Sequence, residues 1–196
     1  AILVLQFFVM LKIYDAQSLL GGMNTSALVR EVGPLIISFL LAGKIGAYTA
    51  AELGTMRVTE QIDAIQCLGE DPIQYLVVPR FFGIIFSTLI LLILGLSMSV
   101  VGSIFVADFL CDINPLRYLN SMLRLTSLGG IAGGLFKGMI YGTLVAAVSC
   151  YKGFTASGGA RGVGRAVTQA AIYTNFYIVI ANYIAGTLIQ TLEEMF

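Results

Sequence analysis

Histidine is absent from this chain, and its three cysteines, Cys67, Cys111 and Cys150, stand alone with no CxxC spacing. A zinc site or a Cys–His nucleophile therefore has almost no material to be built from, and a disulfide framework is equally unsupported. Charge is scarce as well. Only 11% of the residues are charged, and eleven basic residues balance eleven acidic ones, so nothing argues for nucleic acid as a partner. A phosphate-binding loop is missing too: GGARGVGRA (158–166) lacks the GxxxxGK[ST] spacing, and GVGRAV (162–167) fails GxGxxG at its last position. ATP hydrolysis is not expected of this chain. A signal peptide would need a basic n-region and a small-residue cleavage site, and neither is seen.

What the chain has in abundance is apolar surface. With 58% hydrophobic residues and a mean hydropathy of +0.90, it carries more than a soluble domain of 196 residues could bury in one core. An all-α integral membrane protein is expected. Charge-poor runs of helical length recur at approximately Ala27 to Ala51, Phe81 to Ala107, Leu128 to Tyr151 and Ala166 to Leu192. The opening AILVLQFFVML offers only eleven apolar residues before Lys12, where a crossing helix needs roughly 20. It reads as the second part of a truncated first span, which makes about five spans in one polytopic domain, 1–196, without its native N-terminus. Continuous apolar runs exclude the alternating strands of a barrel.

Lys and Arg in the short loops set the expected orientation. Arg57, Arg80, Lys152, Arg161 and Arg165 collect on one side; Lys12, Arg117 and Arg124 lie on the other. Loops 52–80 and 152–165 are thus placed in the cytoplasm, with loop 108–127 and the C-terminal Glu193 and Glu194 outside.

The first cytoplasmic loop contains ELGTMRVTEQIDAI (52–65). Val58, Ile62, Ile65 and Leu68 share one side of a short amphipathic helix over 55–68, while Glu60, Gln61 and Asp63 point elsewhere. Gly69 and Asp71-Pro72 end it. Such a helix can lie among lipid headgroups, but its acidic polar face is poorly suited to an anionic leaflet and better suited to a protein groove. The glycine-rich loop 153–165 reads either as a flexible turn or as a second cytoplasmic contact through Arg161 and Arg165.

Within the membrane, Arg30 and Glu31 are ionisable groups early in span two, where such groups normally face a bundle interior or a wet cavity. The alternative is that they snorkel at the outer interface. Neighbouring residues sit about 100° apart on a helix, so they do not form a same-face pair. Pro34 has no N–H for the carbonyl of Arg30, and this turn is expected to be kinked or broken. Lys137 is placed near the outer half of span four.

LVREVGPLI (28–36), LAGKIGAYTAAELGTMRVTEQIDAI (41–65), the DP and PR steps at 71–72 and 79–80, and GFTASGGARGVGRAVTQA (153–170) together resemble the MlaE/YrbE permease family. Its members are membrane subunits of bacterial ABC systems that move phospholipids or related lipids across the envelope. The resemblance runs through nearly the whole chain, lacking the family's N-terminal amphipathic helix and the first half of span one. It implies a bacterial inner membrane location, or a chloroplast inner envelope. It implies a second copy of the chain, a cytoplasmic ABC ATPase that carries the ATP and Mg, an MCE-domain lipid-binding protein and a small STAS-type regulatory subunit. This chain itself would hold no cofactor and no metal.

By the same resemblance, helix 55–68 is a coupling helix, with Glu52, Arg57, Val58, Glu60, Ile62, Asp63 and Ile65 at the ATPase contact. Leu3, Gln6, Met10 and Tyr14 on span one, with Arg30, Glu31 and Val32 on span two, would line a lipid pocket between two copies. Ordinary helix packing is the competing reading of those side chains. The rival function is an ion- or solute-coupled secondary transporter using Arg30, Glu31 and Lys137, but no inverted repeat is visible. A lipid-modifying membrane enzyme lacks a catalytic set.

Overall fold

The computed structural model describes the backbone of residues 2–195, with side chains through Leu188 and at Thr191. Glu193 and Glu194, placed outside the membrane by the charge count, lie beyond the described side chains. Among the described residues all regular structure is helical: α1 (Ile2–Ile13), α2 (Gln17–Val58), α3 (Gln61–Cys67), α4 (Ile73–Cys111), α5 (Pro115–Leu125), α6 (Leu128–Phe154) and α7 (Gly159–Met195). Three of these, α2, α4 and α6, are long and apolar enough to cross a membrane, with 42, 39 and 27 residues. α1 and α7 are helical where spans were expected. However, α1 has 12 residues, and α7 interrupts its apolar run with Gln169, Thr174, Asn175 and Asn182.

Local chemistry explains the helix boundaries. Asn114 accepts from the N–H of Leu116 at 2.9 Å, with Pro115 at the first helical position of α5. Ser127 Oγ accepts from the N–H of Gly130 at 3.1 Å and so caps α6. Asp71 accepts from the N–H of Ile73 at 2.9 Å, which starts α4 where the Asp-Pro step was read as a boundary.

The turn before Pro34 is not broken. It widens into a π-helical turn over Leu28–Val32, in which the N–H of Gly33 reaches the carbonyl of Leu28. The missing proline N–H disrupts the four-residue ladder, and the helix continues by opening to five. Ile73–Val77 widens in the same way ahead of Pro79. A third wide turn, Ala42–Gly46, has no proline behind it and was not foreseen.

The chain forms two compact units, the first from residues 1–34 and 91–136, the second from 35–90 and 137–196. In the first, Val4, Leu11, Leu20, Ala107, Cys111, Ile113 and Tyr118 form the core. α5 lies tightly against the start of α2. A Cβ on Gly21 would fall within contact-forbidding range of the Tyr118 carbonyl oxygen, at 2.2 Å. Glycine here allows two polar ties, Asn24 Nδ2 to Tyr118 Oη at 2.8 Å and the Gly22 N–H to Ser121 Oγ at 3.1 Å. In the second unit one cluster gathers Ala42, Ile84, Tyr141, Val145, Ala146 and Ile178, and another gathers Leu53, Ile62, Leu76 and Cys150.

Candidate functional site

In the second unit, the end of α2, α3 and the start of α4 build a polar corner. The expected helix over 55–68 is in fact two pieces. α2 runs to Val58, the hydroxyl of Thr59 donates back to the carbonyl of Thr55 at 2.9 Å, and Glu60 takes a left-handed conformation at φ 60°. A bulky residue there is uncommon, and it redirects the chain into α3. This break also resets the helical phase. Ile62 becomes wholly buried and Ile65 half-buried, whereas Leu68, expected on the same side, is 82% exposed.

Ile62 packs with Leu53, Leu76 and Cys150, and Met56, Ile65, Val77 and Phe154 close over them. Its side chain therefore fixes α3 from inside, and the surface of the corner belongs to others. Arg57 pairs with Asp63 across the break, and Arg80 at the start of α4 donates to Glu52 at 2.9 Å. Both pairs are partly exposed, so each contributes little stability, up to about 1 kcal/mol. Their effect is to orient side chains. Glu52, Arg80, Met56, Thr55, Gln61 and Tyr48 surround an open cavity of about 550 Å³. Of the residues singled out from the sequence, Glu52, Arg57, Val58, Glu60, Ile62, Asp63 and Ile65 all belong to this corner. Arg80, counted for its charge and as part of the PR step at 79–80, was not among them.

The glycine-rich loop packs in the same unit. Gly158 and Gly159 have φ of +90° and +66°, values that favour glycine. Gly54 of α2 faces Ala156 and Val163, and Gly153 of α6 faces Ala50 and Leu53 so closely that a Cβ would lie 2.8 Å from Leu53 Cβ. Arg161 and Arg165 are exposed, and Arg165 joins Lys152, Thr155, Ser157 and Gln169 around a cavity of about 220 Å³. Lys152 is held by Gln169 at 3.3 Å and lies 4.5 Å from the centre of the Tyr173 ring. Lys137, also in this unit, is buried with 1% exposure.

In the first unit, Gln6 and Met10 are exposed on α1, Tyr14 is exposed in the turn after it, and Leu3 is half-buried. The Arg30 guanidinium donates to Ser127 Oγ at 3.1 Å and covers Gly130, where a Cβ would lie 2.6 Å from Nε. Glu31 is exposed and Val32 half-buried. Sequence reasoning missed a cavity of about 650 Å³ in this unit, lined by Thr25, Val29, Leu96, Val100, Met122 and Thr126 among others. Its lining comes from four helices, and no local pattern announces it.

The family Permease MlaE matches residues 1–188. The chain belongs to the MlaE permease family. It is 38% identical over 188 residues to a probable ABC transporter permease protein of Rickettsia conorii, covering 96% of this chain and 73% of that protein. A probable ABC transporter permease protein of Synechocystis is 39% identical over 175 residues, 89% of this chain and 66% of its own length. The probable ABC transporter permease protein ycf63 of Pyropia yezoensis is 35% identical over 170 residues, 87% and 65% of the two chains. The chain is thus a multi-pass membrane permease of the ABC transporter class, which implies an ATPase partner.

Proposed function

We propose that this permease moves phospholipids or related lipids between the inner membrane and the outer envelope, as one half of a homodimer driven by a separate ATPase. The observation that carries the reading is the polar corner of the second unit in a member of an ABC permease family. Loops 52–80 and 152–165, which the positive-inside count places together in the cytoplasm, belong to that one unit. The exposed face of the corner, with Glu60, Gln61 and Leu68 around a turn fixed by buried Ile62, offers an ATPase a rigid surface with a few polar contacts. Nucleotide-driven closure of the ATPases would then act on α2 and α4 together, because Glu52 and Arg80 join them.

The lipid path is assigned to Leu3, Gln6, Met10, Tyr14, Arg30, Glu31 and Val32. Support comes from the uncovered side chains Gln6, Met10, Tyr14 and Glu31, which a second copy could enclose. An exposed carboxylate on a widened turn of a membrane-crossing helix is expensive in hydrocarbon and suits a wet path for a headgroup. An MCE-domain lipid carrier and a STAS-type subunit complete the proposed assembly, in the bacterial inner membrane or a chloroplast inner envelope.

Reconstitution tests the whole reading. Proteoliposomes holding the permease with its ATPase should transfer a fluorescent phospholipid to an acceptor in an ATP-dependent manner. Hydrolysis without lipid transfer, or uptake of a small solute driven by an ion gradient alone, would overturn it.

A further inference from the structure

The 650 Å³ cavity of the first unit lies within the volume range of small-molecule sites, and not one of its lining residues is charged. Ile93, Leu123, Leu128 and Ile131, which line it, are themselves exposed, so its mouth opens through apolar side chains. In a membrane protein such a mouth meets hydrocarbon. An apolar occupant would gain dispersion contacts with these walls, and an apolar lining holds water poorly.

Two hydroxyls in the lining carry the second observation. Thr25 is 3% exposed, and its Oγ1, like the buried Oγ1 of Thr126, has no hydrogen-bond partner among the described residues. Elsewhere Thr55, Thr88, Thr143 and Thr168 return their hydroxyl to the carbonyl one turn back, whereas Thr174, buried in α7, lacks a partner among the described residues as Thr25 does; of these two only Thr25 lines the cavity. A buried donor left unmade is unfavourable unless something entering the cavity accepts from it.

We infer that this cavity holds one acyl chain of a bilayer glycerolipid, with the ester carbonyl accepting from Thr25 or Thr126. An ester fits because it is an uncharged acceptor. A free fatty acid would bring a carboxylate into a lining that offers no cation. The site differs from the transport path assigned above, shares none of its residues, and does not require that the chain transport lipid.

Photolabelling decides it. The full permease, in nanodiscs, is given a phosphatidylcholine with a diazirine midway along one acyl chain, or a free fatty acid with the same diazirine, and labelled peptides are mapped by mass spectrometry. The phospholipid probe is expected to label segments 93–100 and 122–135 well above lipid-exposed segments outside the cavity, such as 105–110, with the fatty acid far behind. Ser97→Trp fills the cavity from an exposed lining position and should lower labelling of 122–135 by about tenfold, equivalent to about 1.4 kcal/mol of binding, while Met98→Trp, next to it but outside the lining, should not. Thr25→Val keeps the shape, removes the donor and should also lower it. Uniform labelling of all exposed helices, equal labelling by the fatty acid, or labelling unchanged in a Ser97→Trp protein that elutes and melts as wild type would overturn the inference. Should Ser97→Trp not fold, the wild-type peptide map and Thr25→Val decide in its place.

Discussion

Arg80 donates to the carboxylate of Glu52 at 2.9 Å, tying the start of α4 to the last turns of α2 across a sequence separation of 28. The side chains are 25% and 41% exposed, so the pair is a weak contributor to stability and a strong determinant of where two helix ends stand. Glu52→Arg and Arg80→Glu are each expected to leave the melting temperature of the detergent-solubilised permease nearly unchanged while reducing ATPase pull-down. Combining the two swaps restores the pair and should recover most of the binding. Failure of the double swap to recover would mean that the two residues contact the ATPase separately.

Ile62 and Leu68 separate support from contact. Ile62→Ala removes wholly buried methyl groups and should destabilise by about 2–4 kcal/mol, seen as a lower melting temperature with loss of ATPase association in step. Leu68→Asp alters a side chain that is 82% exposed and should leave melting unchanged. Weakened pull-down in Leu68→Asp places α3 at the interface; unaltered pull-down excludes the surface of α3 from it.

For the membrane orientation the chain supplies its own reporter. Cys67 is exposed on α3, while Cys111 and Cys150 are buried. A membrane-impermeant maleimide should fail to label intact cells and should label Cys67 once they are permeabilised. A Cys67→Ser, Asn114→Cys variant should label in intact cells. The opposite pattern would reverse the topology and remove the ATPase from the polar corner.

Glu31→Ala is expected to cut lipid transfer more than it lowers assembly or melting, because Glu31 is exposed and lies on the proposed path. Arg30→Ala should lower both, since its guanidinium also donates to Ser127 and covers Gly130 at the start of α6. If Glu31→Ala transports normally, the path lies elsewhere.

Close helix approach predicts a contrast between glycines. Gly153→Ala places a Cβ 2.8 Å from Leu53 Cβ and 3.0 Å from the Ala50 carbonyl oxygen, and should destabilise by about 1–3 kcal/mol. Gly102→Ala meets nothing within 4 Å and should be neutral or stabilising by up to about 1 kcal/mol through helix propensity. Thermal aggregation of the two variants reads the difference directly.

Long apolar runs were legible because hydropathy over about 20 residues reports directly on solvent, and α2, α4 and α6 contain the runs expected of them. The irregularity before Pro34 was legible as a lost N–H, though not its outcome, since a helix can answer such a loss by widening as well as by breaking. The break at Thr59–Glu60 was hidden because neither residue is a glycine or proline, and the apolar spacing of Val58, Ile62 and Ile65 runs on through it as if the helix did. Pairing of Arg80 with Glu52, and the cavity beside Thr25, depend on which distant segments meet, and no local period encodes that.

The wide turn Ala42–Gly46 carries one residue more than an α-helix uses for the same advance. Deleting a residue from Ala47–Val58 would swing one flank by about 100°, exchanging buried and exposed faces. Deleting Gly43, which is exposed and whose Cβ position is open, would instead let the turn close to α-helical form with both flanks still in phase. Single-residue deletions in descendants of this chain are therefore expected to be survivable at this point of α2 and ruinous a turn or two beyond it.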